Sequence, residues 1–117
     1  MNFKVIVAGG RDFNDYDLLE YKLDKILSNK DKIEIVSGKA RGADENGEKY
    51  AIKKGYALTQ FKAEWDKYGK RAGYIRNEEM AKYANACVCF WDGKSKGTKH
   101  MIDLANKYNL LLRIIRY

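Results

Sequence analysis

The sequence contains no proline, a single histidine (His100) and only two cysteines (Cys87 and Cys89). Each scarcity excludes something. Without proline, the turns depend on glycine, asparagine and aspartate. One histidine and two cysteines leave a zinc site short of its usual ligands, so no metal is expected. Cys87 and Cys89 stand two apart in an apolar run. On a strand they point to the same face, and such neighbours do not readily form a disulfide, so they read as small core residues. No apolar run approaches the ~18 residues of a membrane span. Met1 to Ala8 enters a strand-like run without the charged, apolar and small-residue zones of a signal peptide, so a cytoplasmic location is expected. No internal repeat, linker or low-complexity segment interrupts the 117 residues, which suffice for one core and not two. One domain over residues 1–117 is expected, with no membrane contact.

The composition is ordinary for a globular protein at 45% apolar. The charge is not. Lys and Arg number 23 against 16 Asp and Glu, a formal net charge of +7, which favours anionic partners. The cations are spread along the chain rather than blocked together, so charge does not choose between a nucleic acid and a small phosphorylated ligand.

Strand and helix patterns alternate. Strands are read at Phe3 to Ala8, Ile33 to Val36, Ala57 to Phe61, Ala86 to Trp91 and Leu110 to Ile115. Helices are read at Asp15 to Ser28 (capped by Asn14), Ala43 to Lys54 (ended by Gly55), Ile75 to Tyr83 and Thr98 to Tyr108. Lys62 to Gly73 reads as irregular. Such alternation implies βαβ units and an α/β fold: a Rossmann-like three-layer sandwich with a five-stranded parallel sheet of order 3-2-1-4-5 and helices on both faces. Ligands in such sheets bind beyond the carboxyl ends of the strands, at the switch between the first and fourth.

The unusual residues fall at those ends. Gly9, Gly10, Arg11 and Asp12 follow the first strand, where paired glycines admit a close ligand and Arg11 offers a forked donor. Ser37, Gly38, Gly42 and Asp44 follow the second. That segment is not a P-loop, but it opens a helix whose amides favour anions, and Asp44 either caps the helix or touches ligand. Trp91, Ser95, Gly97 and Thr98 follow the fourth and form a second phosphate cradle. Arg76 and Asn77 stand at a helix start, with Glu78 and Glu79 suited to its positive end. Trp65 is available to stack on a base or to pack.

These segments, in order, resemble the YspA-type (cpYpsA-related) branch of the SLOG superfamily: Gly9 to Phe13, Ser37-Gly38 through Arg41 to Asp44, Trp65, Ala72-Gly73 with Arg76-Asn77 and Met80, and Phe90 to Gly93 with Ser95 and Gly97-Thr98. The resemblance runs from about residue 5 to residue 105. It implies a Rossmann-like fold that recognises nucleotides or nucleotide-derived ligands, in proteins of bacteria, phages and other mobile elements. That pattern usually has proline where Tyr74 stands, which implies a differently shaped loop here. The superfamily also holds the "lonely guy" phosphoribohydrolases, in which a Glu three residues after the Thr is needed for hydrolysis. Met101 stands there, and an apolar side chain can neither stabilise an oxocarbenium-like centre nor handle a proton. Asp44, Glu78 and Glu79 are the weak catalytic candidates that remain.

Three functions are therefore expected in descending order. The first is a sensor or sequestering module for a nucleotide-derived small molecule, with phosphate on the amides of residues 9–10 and 95–98, Arg11 and Arg76 neutralising charge, and Asp44 or Asp12 accepting from a ribose hydroxyl. The second is a nucleotide N-glycosidase. The third is single-strand nucleic-acid binding. No cofactor is expected, and a homodimer is expected from base rates and relatives.

Overall fold

The computed structural model describes residues 2–117. Five strands are present: β1 (Phe3–Gly9), β2 (Ile33–Ser37), β3 (Ala57–Gln60), β4 (Ala86–Trp91) and β5 (Leu111–Arg116). They form one parallel sheet of order β3-β2-β1-β4-β5, as expected from the alternation. The register places Val5 beside both Ile35 and Ala86, so β1 lies between β2 and β4. Helices α1 (Tyr16–Ile26), α2 (Ala43–Lys54), α4 (Ala72–Tyr83) and α5 (Lys96–Lys107) make the crossovers, with a four-residue helix α3 (Trp65–Tyr68) before α4.

Two cores result, one per face. Val5, Val7, Ile35, Val88 and Phe90 meet Leu19 and Leu23 of α1 and Tyr50 and Ala51 of α2. On the other face Ile6, Val36, Cys87 and Cys89 meet Met80 of α4 and Met101, Ile102 and Ala105 of α5. The alternation of side chains along each strand serves both faces, which is why β2 is buried at every position. Each fully buried aliphatic side chain contributes about 1.5–3 kcal/mol by leaving water. The two thiols are free, buried and on one face, their sulfurs 3.5 Å apart.

Three expected boundaries are corrected. The cap of α1 is Asp15, whose carboxylate accepts from Leu18 N at 3.1 Å, and not Asn14. The stretch 62–73 is largely helical: α3 is followed by a 3₁₀ turn at Gly69–Arg71, and α4 starts at Ala72, three residues before the expected start. Trp65 and Tyr68 are exposed there, so no apolar stripe announces the turn. Tyr74 lies within α4, where the resemblance implied an altered loop. Helix α5 begins at Lys96, two residues early, because Ser95 caps it. Among the described residues, no helix is long and apolar enough to cross a membrane.

Candidate functional site

At the carboxyl ends of β1 and β4, where the sheet order reverses, lies an open cavity of about 440 Å³. Four segments wall it: residues 9–12 after β1, Ala40 and Asp44 around the start of α2, Arg76 and Asn77 on α4, and Asp92, Ser95, Gly97 and Thr98 leading into α5. Ala8, Met80 and Met101 supply its apolar surface, each at least nine-tenths buried.

The loop after β4 is tied from within. Asp92 accepts from Lys94 N and Ser95 N at 2.8 Å each, and these amides hold its carboxyl below the usual range. Ser95 then caps α5, its hydroxyl accepting from Thr98 N at 3.3 Å. The first turn of α5 carries no acidic residue, so the positive end of the helix meets the cavity uncompensated. Trp91 does not line the cavity. Its indole N–H donates to Ser95 O at 3.1 Å and Arg116 lies over its ring, so it braces the loop from behind.

The start of α2 is shaped by Gly42, which adopts φ +76°; a Cβ there would sit 2.2 Å from Gly10 O. Only glycine allows α2 to butt against the loop after β1. Glu45 accepts from Gly42 N at 3.1 Å and takes over the capping. That leaves Asp44 free to turn inward, where it accepts from Ala40 N at 3.2 Å and is 5% exposed. Burial pushes its carboxyl up to about 6, against the opposing pull of the Ala40 amide and the Arg76 charge. Asp44 is thus a buried acid facing the cavity, not a cap.

Arg76 approaches from α4. A Cβ on Gly38 would lie 3.0 Å from both Arg76 Nη1 and Asp44 Oδ2, so this glycine is what lets the two groups converge. Arg76 Nη1 donates to Gly38 O, and Nε donates to Asn77 Oδ1 at 3.0 Å. The Asn77 amide in turn faces His100 Nδ1 at 3.2 Å. Because Asn77 Oδ1 is occupied by Arg76, its NH₂ is the donor, and His100 Nδ1 accepts as the neutral ring. Burial holds the His100 ring below its ordinary value and likewise lowers Arg76.

Gly9, Gly10, Arg11, Asp12, Asp44, Arg76, Asn77, Ser95, Gly97 and Thr98 all line the one cavity. The amide of Gly10 is already committed, donating to Phe90 O at 3.1 Å. Asp12 accepts from Tyr117 O–H at 2.6 Å. Ser37 is buried behind the site, its hydroxyl donating to Glu48 at 2.7 Å. Gly38 and Trp65 line an adjoining recess of about 230 Å³. Glu78 is turned away toward Tyr108, from which it accepts at 2.6 Å, and Glu79 is exposed and lines no described cavity. The carboxylates on the cavity are therefore Asp12, Asp44 and Asp92. Sequence reasoning did not single out Asp92 or His100; an Asp three residues before a helix-capping Ser is the one local signal for the former. Among the described residues no group of three or more His, Cys, Asp and Glu could hold a metal ion.

A family described as YspA, cpYpsA-related SLOG matches residues 3–68. The Gene 61 protein of Mycobacterium phage D29 is 32% identical over 111 residues, covering 89% of each chain. The X-ray structure of DNA processing protein A from Streptococcus pneumoniae superposes on 100% of this chain with a TM-score of 0.78 and 17% identity, a likeness of fold. This chain spans about half (51%) of that protein's length.

Proposed function

The chain belongs to the YspA, cpYpsA-related SLOG family, and from that premise we propose that it binds a nucleotide-derived ligand in the cavity at the β1–β4 switch. The observation that carries this reading is the convergence there of Arg11 and Arg76, the positive end of α5 with no acidic residue in its first turn, and the buried acceptor Asp44, beside the apolar surface of Met80 and Met101. Guanidinium groups and helix amides suit phosphate oxygens. A carboxylate suits a ribose hydroxyl, and the thioethers suit a base or sugar face. Binding ranks ahead of hydrolysis because Met101 lines the cavity where the related phosphoribohydrolases carry their glutamate. The one feature that favours turnover is Asp44, an acid poised near 6 on the cavity wall.

Thermal unfolding against AMP, ATP, NAD, ADP-ribose and cyclic ADP-ribose tests the reading. A compound at about 100 times its dissociation constant adds about 2.7 kcal/mol, which raises the midpoint by roughly 10 °C in a domain of this size. Arg76→Ala is expected to weaken the best ligand by more than about 1.5 kcal/mol. No shift with any compound, or full affinity in Arg76→Ala, overturns the reading. Release of free base from the bound compound makes the protein a hydrolase instead.

A further inference from the structure

We propose that the ligand is longer than one nucleotide: the recess beside the cavity is a second subsite that takes a second base and the phosphodiester joining it to the first. This rests on the nucleotide-binding reading of the main cavity. The recess shares Arg11, Ala40 and Arg76 with that cavity, so the two adjoin across those residues. Every charged residue on its wall is positive: Arg11, Lys39, Arg41, Lys62 and Arg76. Among the described residues, none of these five lies within 4 Å of a carboxylate in an ion pair, whereas Lys53 and Lys54 at the far end of α2 are paired with Glu20 and Asp24. Asp44 offsets part of the Arg76 charge, but Arg11, Lys39, Arg41 and Lys62 have no such partner in an ion pair among the described residues, and a cluster of like charges of this kind is relieved by an anion.

Trp65 completes the subsite. It is 50% exposed, far more than a core indole. Among the described residues no other aromatic ring stacks on it and no cation lies over it, whereas the exposed Tyr21 and Tyr68 each carry a lysine and Tyr74 and Tyr117 each meet another ring. One edge of the ring rests beside Gly73 of α4, whose would-be Cβ lies 3.5 Å from Cη2. A large unoccupied π-surface beside four exposed cations is the arrangement that stacks a base and holds its backbone phosphate. The main cavity differs in character: it carries the carboxylates Asp12, Asp44 and Asp92, which suit hydroxyl donors and repel a second phosphate. The two compartments therefore accept different parts of one ligand, and the chemistry they share with it is that of two nucleosides joined by a phosphodiester. A free dinucleotide and the end of a single strand both present it.

The test is titration calorimetry with AMP, the 5′-phosphorylated dinucleotide pApA and a twelve-residue oligoadenylate, at two salt concentrations, on the wild type, on Trp65→Ala and on Lys62→Ala. The ratio of pApA to AMP affinity is expected to reach roughly tenfold or more in the wild type, from one stacked base and its phosphate. In both variants it is expected to fall toward one. Equal affinities for AMP and pApA in the wild type, or an unaltered ratio in both variants, overturn the second subsite while leaving the main-cavity reading intact. Failure of both compounds to bind overturns both. An affinity that stops rising at the dinucleotide assigns the subsite to a small molecule. An affinity and salt slope that keep growing with the twelve-mer assign it to a strand.

Discussion

Replacing Asp44 by asparagine is expected to stabilise the unliganded protein at neutral pH while impairing ligand binding. The carboxylate is 5% exposed and its pKa is raised from 3.8 to about 6, chiefly by burial. A carboxyl whose folded pKa lies above its unfolded value binds its proton more tightly when folded. Its favourable contribution is complete below 3.8 and is lost as the pH rises through about 6. The full gap corresponds to roughly 3 kcal/mol, of which about half falls between pH 5 and pH 8. Asp44→Asn keeps an oxygen for the Ala40 amide and removes the charge. Other groups titrate alike in both proteins, so the difference between variant and wild type isolates this one. In denaturant or thermal unfolding the variant is expected to gain on the order of 1 kcal/mol on the wild type between pH 5 and pH 8, a few degrees in midpoint. A difference that does not change with pH refutes the argument, because it means the folded protein ionises Asp44 as easily as the unfolded chain does. A variant that gains stability but binds nucleotide as tightly as before refutes the role assigned to the carboxylate.

Other outcomes follow from the same geometry. Gly42→Ala places a methyl 2.2 Å from Gly10 O at a φ of +76° and is expected to cost about 3 kcal/mol, from left-handed strain and overpacking together, read as a midpoint about 10 °C lower. Gly97→Ala meets nothing within 4 Å in the first turn of α5, so stability is expected to hold or rise slightly while nucleotide affinity falls, since the methyl enters the cavity wall. Acidification is expected to weaken binding through His100, whose folded pKa is depressed below 6.5 by burial, with Asp103 and Glu78 opposing. The neutral ring's contribution is present above 6.5 and disappears as the pH falls through the lowered value. Protonation then turns Nδ1 into a donor facing the Asn77 amide and loosens Arg76. The affinity–pH profile of His100→Gln, compared with that of the wild type, should lack this component; superimposable profiles would remove His100 from the site.

The sheet was legible in the sequence because each buried strand is a short, nearly continuous apolar run closed by glycine or a polar residue, and the crossover helices α1 and α5 carry an apolar stripe. The order 3-2-1-4-5 was expected from the alternation and is the one observed, and the cavity lies at the switch that this order creates. What local pattern could not reveal is direction. Asp44 sits two residues after Gly42, a position equally suited to capping or to facing inward, and the choice was made by Glu45 taking the Gly42 amide. Trp65 and Tyr68 are exposed, so α3 left no periodic trace. Glu78 and Glu79 follow Arg76 within α4, but successive residues point about 100° apart, and only the side of Arg76 and Asn77 meets the cavity. The Asp12–Tyr117 bond joins residues 105 apart and has no local signature at all.

The position of β1 between β2 and β4 also bears on how the molecule opens and closes. Phe3 pairs with Ile33, 30 positions later, whereas Val5 pairs with Ala86, 81 positions later. Closing the longer loop costs only about 0.9 kcal/mol more in chain entropy, yet it sets the order: the β1–β2–β3 half is complete in sequence before β4 exists to dock on it. The β1–β4 contact is then a seam between an early and a late half, and the cleft lies at its mouth. A molecule bridging Arg11 on one half and the α5 amides on the other fastens that seam. Its signature would be slowed amide exchange along β4, on backbone that the ligand never touches.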